Sequence, residues 1–238
     1  MGKPVMFVGQ SSGSSALLAR QAARPVLRAV VRERALDPDQ NLILQGEAPQ
    51  VAHILLSGYT CRHRTLMNGR RQITAILVPG DMCDLEAVLR GWADSGITAL
   101  TRCVFGEIPL EQVADPLRQE PELARALLHQ LLYQKAIDSE RVLSLGQRTA
   151  LQRLAHLFCE LQERLQAVGL AEEDGYSLPL TQMELSELTG MTNVHVNRTL
   201  QALRGQNLVR WHRGRLSLLD RPALERLAEF DPTYLRVP

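Results

Sequence analysis

No run of 18 or more apolar residues occurs in the chain, so the sequence offers no segment to cross a bilayer as a helix. Paired cysteines are missing as well. The four present, Cys61, Cys83, Cys103 and Cys159, form no CxxC and no zinc spacing, which leaves reduced, partly buried thiols in a cytoplasmic protein as the expectation. Aromatic residues are only 4% against 45% hydrophobic residues, so the cores should be aliphatic. An excess of one charge is absent too, and a net charge of +1 does not by itself suggest a polyanionic partner. Neither a phosphate loop, a Ser/His/Asp order nor a metal pair stands out, so the chain reads as a non-enzyme with no metal site. After Lys3 there is no uninterrupted apolar stretch of secretory type, and GQSSGSS at residues 9–15 reads as part of a flexible leader, residues 1–18.

What is present concentrates near the C-terminus. Residues 180–204, LTQMELSELTGMTNVHVNRTLQALR, read as two short helices joined at Gly190. Thr181 and Glu184, three residues apart, form a capping box, and Gly190 supplies the left-handed conformation that closes a helix. Thr192 caps the second helix. There Val196, Leu200 and Leu203 recur at i, i+4 and i+7 and should face a core. Asn193, Val194, Asn197, Arg198 and Gln201 are left on the other side, and that side suits base reading: Arg matches guanine bidentately, and Asn or Gln matches adenine. The alternative is an ordinary helical hairpin with a solvated face.

The following residues favour the first reading. Two short apolar runs flank Arg213-Gly214-Arg215, a hairpin signal with a basic tip, and Asp220 caps a last helix with Pro222 in its first turn. Helix, turn, helix and β-hairpin describe a winged helix-turn-helix. Residues 198–221 hold six arginines and one acid, whereas residues 172–187 hold five acids and no base. A basic stripe on the recognition helix and wing is the footprint expected for phosphate contact.

The N-terminal part has another rhythm. Gly46, Gly58, Gly69 and Gly80 punctuate short apolar strands at steps of 12, 11 and 11 residues, and Asn68-Gly69 marks a tight hairpin. This predicts an antiparallel β-roll over residues 19–114. Residues 115–146 lack glycine until Gly146, and Leu123, Leu127 and Leu131, with Leu128 and Leu132 beside them, form a broad stripe. The stripe predicts a dimerisation helix packing on a two-fold mate. The fold expected is therefore α+β: a jelly-roll-like β-roll, a long dimerisation helix, and a winged helix-turn-helix over residues 147–238.

Three segments then point to a family. Gly46…Leu55-Leu56-Ser57-Gly58 resembles the "G…YLI.SG" corner of the Crp/Fnr regulators, Val78-Pro79-Gly80-Asp81 resembles their "PGD" turn, and LTQMELSELTGMTNVHVNRTLQALRGQNLVRW resembles their "T..ELA..LG.TR.TVSR.L..L...GLI". The resemblance runs over residues 25–230. It implies a homodimeric transcription regulator that reads a near-palindromic operator in double-stranded DNA and contacts RNA polymerase. Arg198 stands where the family's second recognition arginine reads a guanine. Asn193 replaces a frequent arginine and Val194 a common glutamate, so the operator should differ from that of the best-known members. Thr181 and Thr192 fit phosphate contacts at helix N-termini, His195 and Gln201 fit DNA edges, and Arg213 and Arg215 fit phosphates.

The sensor half departs further. Cyclic-nucleotide-binding members resemble one another in a glycine-glutamate pair followed by arginine-serine or arginine-threonine. Here residues 80–101 read GDMCDLEAVLRGWADSGITALT, with Asp94-Ser95 at the arginine position. An aspartate there repels a phosphate. Cyclic AMP is therefore not expected in the usual mode, and Asp84, Glu86, Arg90, Asp94 and Ser95 line a candidate pocket for an unidentified effector. No cysteine precedes Cys61, so the iron–sulfur cluster of the family's oxygen sensors is not expected and no cofactor is assigned. Haem ligation by Cys83 or His53, or a thiol switch at Cys61, Cys83 or Cys103 favoured by Arg62, Arg64 and Arg102, remains as a redox-responsive alternative. A different class of reading is a small-molecule-binding β-roll whose winged domain mediates protein contacts.

Overall fold

The computed structural model describes residues 24–114 and 120–236. The leader assigned to residues 1–18 and residues 115–119 of the expected dimerisation helix lie outside them. Among the described residues no helix is long and apolar enough to cross a membrane. The described residues divide into two compact units: residues 24–62, 76–114, 120–132 and 167–169 form one, and residues 63–75, 133–166 and 170–236 the other.

The first unit is built on antiparallel strands. β1 (Arg32–Leu36), β7 (Cys103–Pro109) and β3 (Val51–Ser57) form one sheet in the order β1-β7-β3. A second sheet runs β2-β6-β4-β5, from β2 (Asn41–Ile43), β6 (Gly96–Ala99), β4 (Thr60–Thr65) and β5 (Arg71–Leu77), of which the outer part of the β4–β5 hairpin, residues 63–75, belongs to the second unit. Short helices α1 (Leu85–Arg90) and α2 (Leu110–Ala114) complete the roll. β3 is buried on both faces. Ala52, Ile54 and Leu56 pack with Met82, Leu85, Val113, Leu123 and Leu127 in one apolar cluster. Because strand side chains alternate, His53 and Leu55 point the other way. The four corner glycines all have positive φ, and Gly58 is the most constrained: at φ +89° an added Cβ would lie 2.4 Å from the Arg102 carbonyl oxygen. Asn68-Gly69 does close a hairpin, but through a three-residue loop in which Gly69 donates to the Leu66 carbonyl and Leu66 to that of Arg70. A left-handed glycine in the last loop position is characteristic of that geometry.

The long helix α3 spans Pro121–Gln147 and corrects one expectation. Leu123 and Leu127 are buried in the chain's own β-roll cluster, with Leu131 packed against it, so that face needs no second copy. Another face is open. Leu128 is 54% exposed, Leu132 57% and Val142 70%, and with exposed Lys135, Ser139 and Gly146 they follow steps of 4, 3, 4, 3 and 4 residues. The helix also carries through Gly146, and the break falls before α4 (Ala150–Ala167), whose first turn is capped by Thr149 and Gln152.

In the second unit, β10 (Val209–His212), β11 (Arg215–Leu218), β9 (Gly175–Ser177) and β8 (Ala171–Glu172) make a four-stranded sheet. It accompanies α5 (Gln182–Thr189), α6 (Asn193–Gly205) and α7 (Arg221–Ala228). A buried ionic cluster lies inside this unit. Arg141 of α3 and Arg164 of α4 both donate to Glu160 Oε1, at 3.1 and 3.2 Å, while the Tyr234 hydroxyl donates to Oε2 at 3.3 Å. His156 stacks on the Tyr234 ring and meets Phe230 edge-on.

Candidate DNA-binding interface

The helix pair forms for the reasons its sequence suggests. Thr181 Oγ1 accepts from the Glu184 backbone N–H, the Glu184 carboxylate accepts from the Thr181 N–H at 2.5 Å, and Gly190 closes α5 at φ +66°. Thr192 Oγ1 caps α6 by accepting from the His195 N–H. Val196, Leu200 and Leu203 are buried with Thr199, whose hydroxyl donates to the His195 carbonyl.

Asn193, Val194, Asn197, Arg198 and Gln201 are all exposed on α6, Val194 at 81%. A single exposed valine is ordinary on a protein surface, and its methyl groups are also the kind that pack against a thymine methyl. His195 is half-buried at the edge of this face. Thr181 and Thr192 are exposed, with their hydroxyls engaged as caps. Sequence reasoning missed two neighbours contributed by α5. Gln182 Oε1 accepts from Asn197 Nδ2 at 3.4 Å, and Met183 Sδ lies 3.6 Å from Asn193 Nδ2. The available signal was their place just after the Thr181 cap, at the end of α5 nearest the start of α6.

The wing turn is Arg213-Gly214, both with positive φ, linking the paired residues His212 and Arg215. This two-residue arrangement twists with its strands. The basic stripe is thinner than the sequence suggests. Arg215 is held by Glu172 at 2.6 Å and Asp174 at 2.9 Å, Arg204 donates to the Trp211 carbonyl, and Arg221 is paired with Glu163 and Glu225. Two of the acids of residues 172–187, Glu172 and Asp174, thus fold back onto the wing, which pairing across 41 to 43 positions conceals in the sequence. Of the stripe's six arginines, Arg198, Arg210 and Arg213 remain without an acidic partner among the described residues.

Of the residues of the expected effector pocket, Arg90, Asp94 and Ser95 come together, while Asp84 is engaged elsewhere. Arg90 pairs with Asp94 at 2.9 Å on the surface, and Ser95 donates to the same carboxylate. Glu86 is half-buried on α1. Asp84 turns inward instead: Oδ1 accepts from the His53 N–H at 2.8 Å and Oδ2 meets His53 Nδ1 at 2.5 Å. The pair is buried, and His53 Nε2 has no partner among the described residues. All four cysteines are buried. Burial, then the Asp84 and Asp81 carboxylates, pushes the Cys83 thiol well up, and burial raises Cys103 and Cys159 as well. These thiols stay protonated, and the Arg62 guanidinium donates to the Cys83 carbonyl. At Cys83 and Cys103 the reactive-thiolate expectation is therefore corrected: basic neighbours in sequence do not outweigh loss of water.

A β-roll followed by a long helix and a winged helix-turn-helix with an exposed reading face defines a class of DNA-binding regulator. Comparison with known proteins narrows it. Residues 33–120 match the cyclic nucleotide-binding domain family, and residues 152–227 match the Crp-like helix-turn-helix domain family. The chain belongs to the Crp/Fnr family of transcription regulators. It is 27% identical over 180 residues to the transcriptional activator protein FnrL of Cereibacter sphaeroides, covering 74% of this chain and 71% of that protein. Similarity to the nitrogen fixation regulation protein FixK of Bradyrhizobium diazoefficiens is 27% over 175 residues, 73% and 72% of the two chains. The solved structure of FixK2 from Bradyrhizobium japonicum superposes with a TM-score of 0.74 at 22% identity, covering 82% of this chain and 96% of that one.

Proposed function

We propose that this regulator acts in the cytoplasm as a homodimer whose two α6 helices enter successive major grooves of a near-palindromic operator. A two-fold pair would set them about 34–36 Å apart. The observation that carries the reading is the exposed row Asn193, Val194, Asn197, Arg198 and Gln201 on a firmly capped α6. Arg198 reads a guanine; Arg210 and Arg213 bind phosphates, joined by Arg215 once DNA competes with Glu172 and Asp174. The role is binding alone, without catalysis. RNA polymerase is the proposed downstream partner. Cyclic AMP is not the effector in its usual mode, because Arg90 is neutralised by Asp94 and Asp84 is committed to His53.

Selection from a random duplex pool, followed by anisotropy on the enriched site, tests the reading. Arg198→Ala should weaken the enriched site by about 1–3 kcal/mol and relax preference at one base pair, with a smaller loss on random DNA. Equal losses on both would remove Arg198 from base readout.

Dimerisation is proposed to use the exposed α3 seam of Leu128, Leu132 and Val142, whose spacing is that of a left-handed helix pair. Leu132→Glu puts two charges into that seam and should weaken self-association roughly 10- to 100-fold, about 1.4–2.8 kcal/mol. Sedimentation velocity across a dilution series reads the effect, and an unchanged dimer would move the interface elsewhere.

A further inference from the structure

The β4–β5 hairpin carries charge that the reading face does not account for. Residues 59–78 contain four arginines (62, 64, 70 and 71), one histidine (63) and no acid. Its outer part, residues 63–75, belongs to the same compact unit as the winged helix-turn-helix. Two contacts moor it there. Arg71 sets Nε and Nη2 on Glu187 Oε2 of α5, each at 2.8 Å, and the Gln72 side-chain amide donates to the Glu187 carbonyl oxygen. Arg64 and Arg70, on either side of the turn, are exposed and meet no acid among the described residues. Between them Leu66 is 64% exposed and Met67 fully so.

We infer that this hairpin is a second DNA-contacting arm, with Arg64 and Arg70 on phosphates of the duplex flanking the half-site and Leu66-Met67 at its tip against the minor groove. The inference rests on the DNA-binding reading above. The first helix of a helix-turn-helix crosses the phosphate backbone while the second reads bases, so an arm moored on α5 stays with the element that rides the backbone. Arg71 neutralises Glu187, the acid at the mooring, which would otherwise repel phosphate. Two guanidiniums flanking an apolar tip on a twisted ribbon have the chemistry of arms that follow a minor groove: arginine for backbone and groove, leucine or methionine for the wedge. An acidic protein surface would also attract the arginines. DNA is favoured because the arm belongs to the DNA-reading unit.

The test compares wild type with Arg64→Gln/Arg70→Gln on two duplexes, one ending at the operator edges and one extended by about a helical turn (~10 bp) on each side. Losing two phosphate contacts per protomer, four in the dimer, should flatten the salt slope of log K by about 3.6 on the extended duplex, since each contact contributes about 0.9. At moderate salt the variant should bind the extended duplex roughly a hundredfold more weakly, with little change on the short one. Arg198→Ala serves as the contrast, losing affinity on both. Both arginines are exposed, so unfolding curves should superpose and separate this effect from misfolding. An unchanged salt slope on the extended duplex overturns the arm while leaving the DNA-binding reading intact. If wild-type protein binds neither duplex, that reading and the arm fall together.

Discussion

Glu160→Ala should destabilise the unit that carries the reading face by about 3–5 kcal/mol, the range seen when one partner of a buried ion pair is removed. Glu160 is 1% exposed and lies between Arg141 and Arg164, whose side chains are 8% and 1% exposed. Burial by itself drives its carboxyl up; Arg141 and Arg164 outweigh that and hold it below the ordinary range. Removing the carboxylate leaves two guanidiniums in a dry site and strips the Tyr234 hydroxyl of its acceptor. Because the arginines come from α3 and α4, the loss should also loosen the C-terminal half of the long helix from the domain it supports. Guanidinium unfolding of Glu160→Ala and Glu160→Gln measures it, with Gln retaining part of the hydrogen bonding and giving the smaller loss. Adding Arg141→Met to Glu160→Ala removes one stranded charge and should recover stability. A loss below about 1 kcal/mol for Glu160→Ala would mean that water reaches the cluster, since only exposed pairs are worth so little.

The elements that could be read from the chain are those governed by neighbours in sequence. The Thr181–Glu184 box, the Thr192 cap, the Gly190 closure and the Arg213-Gly214 turn each depend on groups within four residues, and each forms as its residues require. The alternation that buried Val196, Leu200 and Leu203 left the reading row outside for the same local reason.

Long-range pairing was hidden. Nothing in the local sequence says that Glu172 and Asp174 hold Arg215, that Asp84 turns to His53 across 31 positions, or that Leu123 and Leu127 pack into the β-roll. The basic stripe was over-read because counting arginines ignores where the acids fold. The cysteines were misread because adjacency to arginine was visible and desolvation was not. What survives is the face itself, less its borrowed charges, together with Arg210 and the α5 neighbours Gln182 and Met183.

Acid should weaken the same unit through His156. The imidazole is 2% exposed, and its pKa is pushed down from 6.5 to about 4, chiefly by burial and also by the Arg148 and Arg141 charges, against the pull of Glu160 and Glu140. In the folded protein it is therefore neutral at neutral pH. Above pH 6.5 both folded and unfolded chains carry it uncharged, and it adds no pH dependence. Below 6.5 the unfolded chain takes up a proton that the folded one refuses, so stability falls as pH falls, and the fall levels off below about pH 4. A displacement of about 2.5 units corresponds to about 3 kcal/mol lost across that window. His156→Gln removes the titration while leaving Glu160 to respond to acid in both proteins. The difference between the urea-unfolding free energies of wild type and variant should shift by about 3 kcal/mol between pH 7 and pH 4, to the disadvantage of wild type. Parallel pH profiles, or an NMR titration placing His156 above pH 6, would show that the ring takes its proton while still packed against Tyr234 and Phe230, with Glu140 at 3.2 Å as the countercharge that permits it.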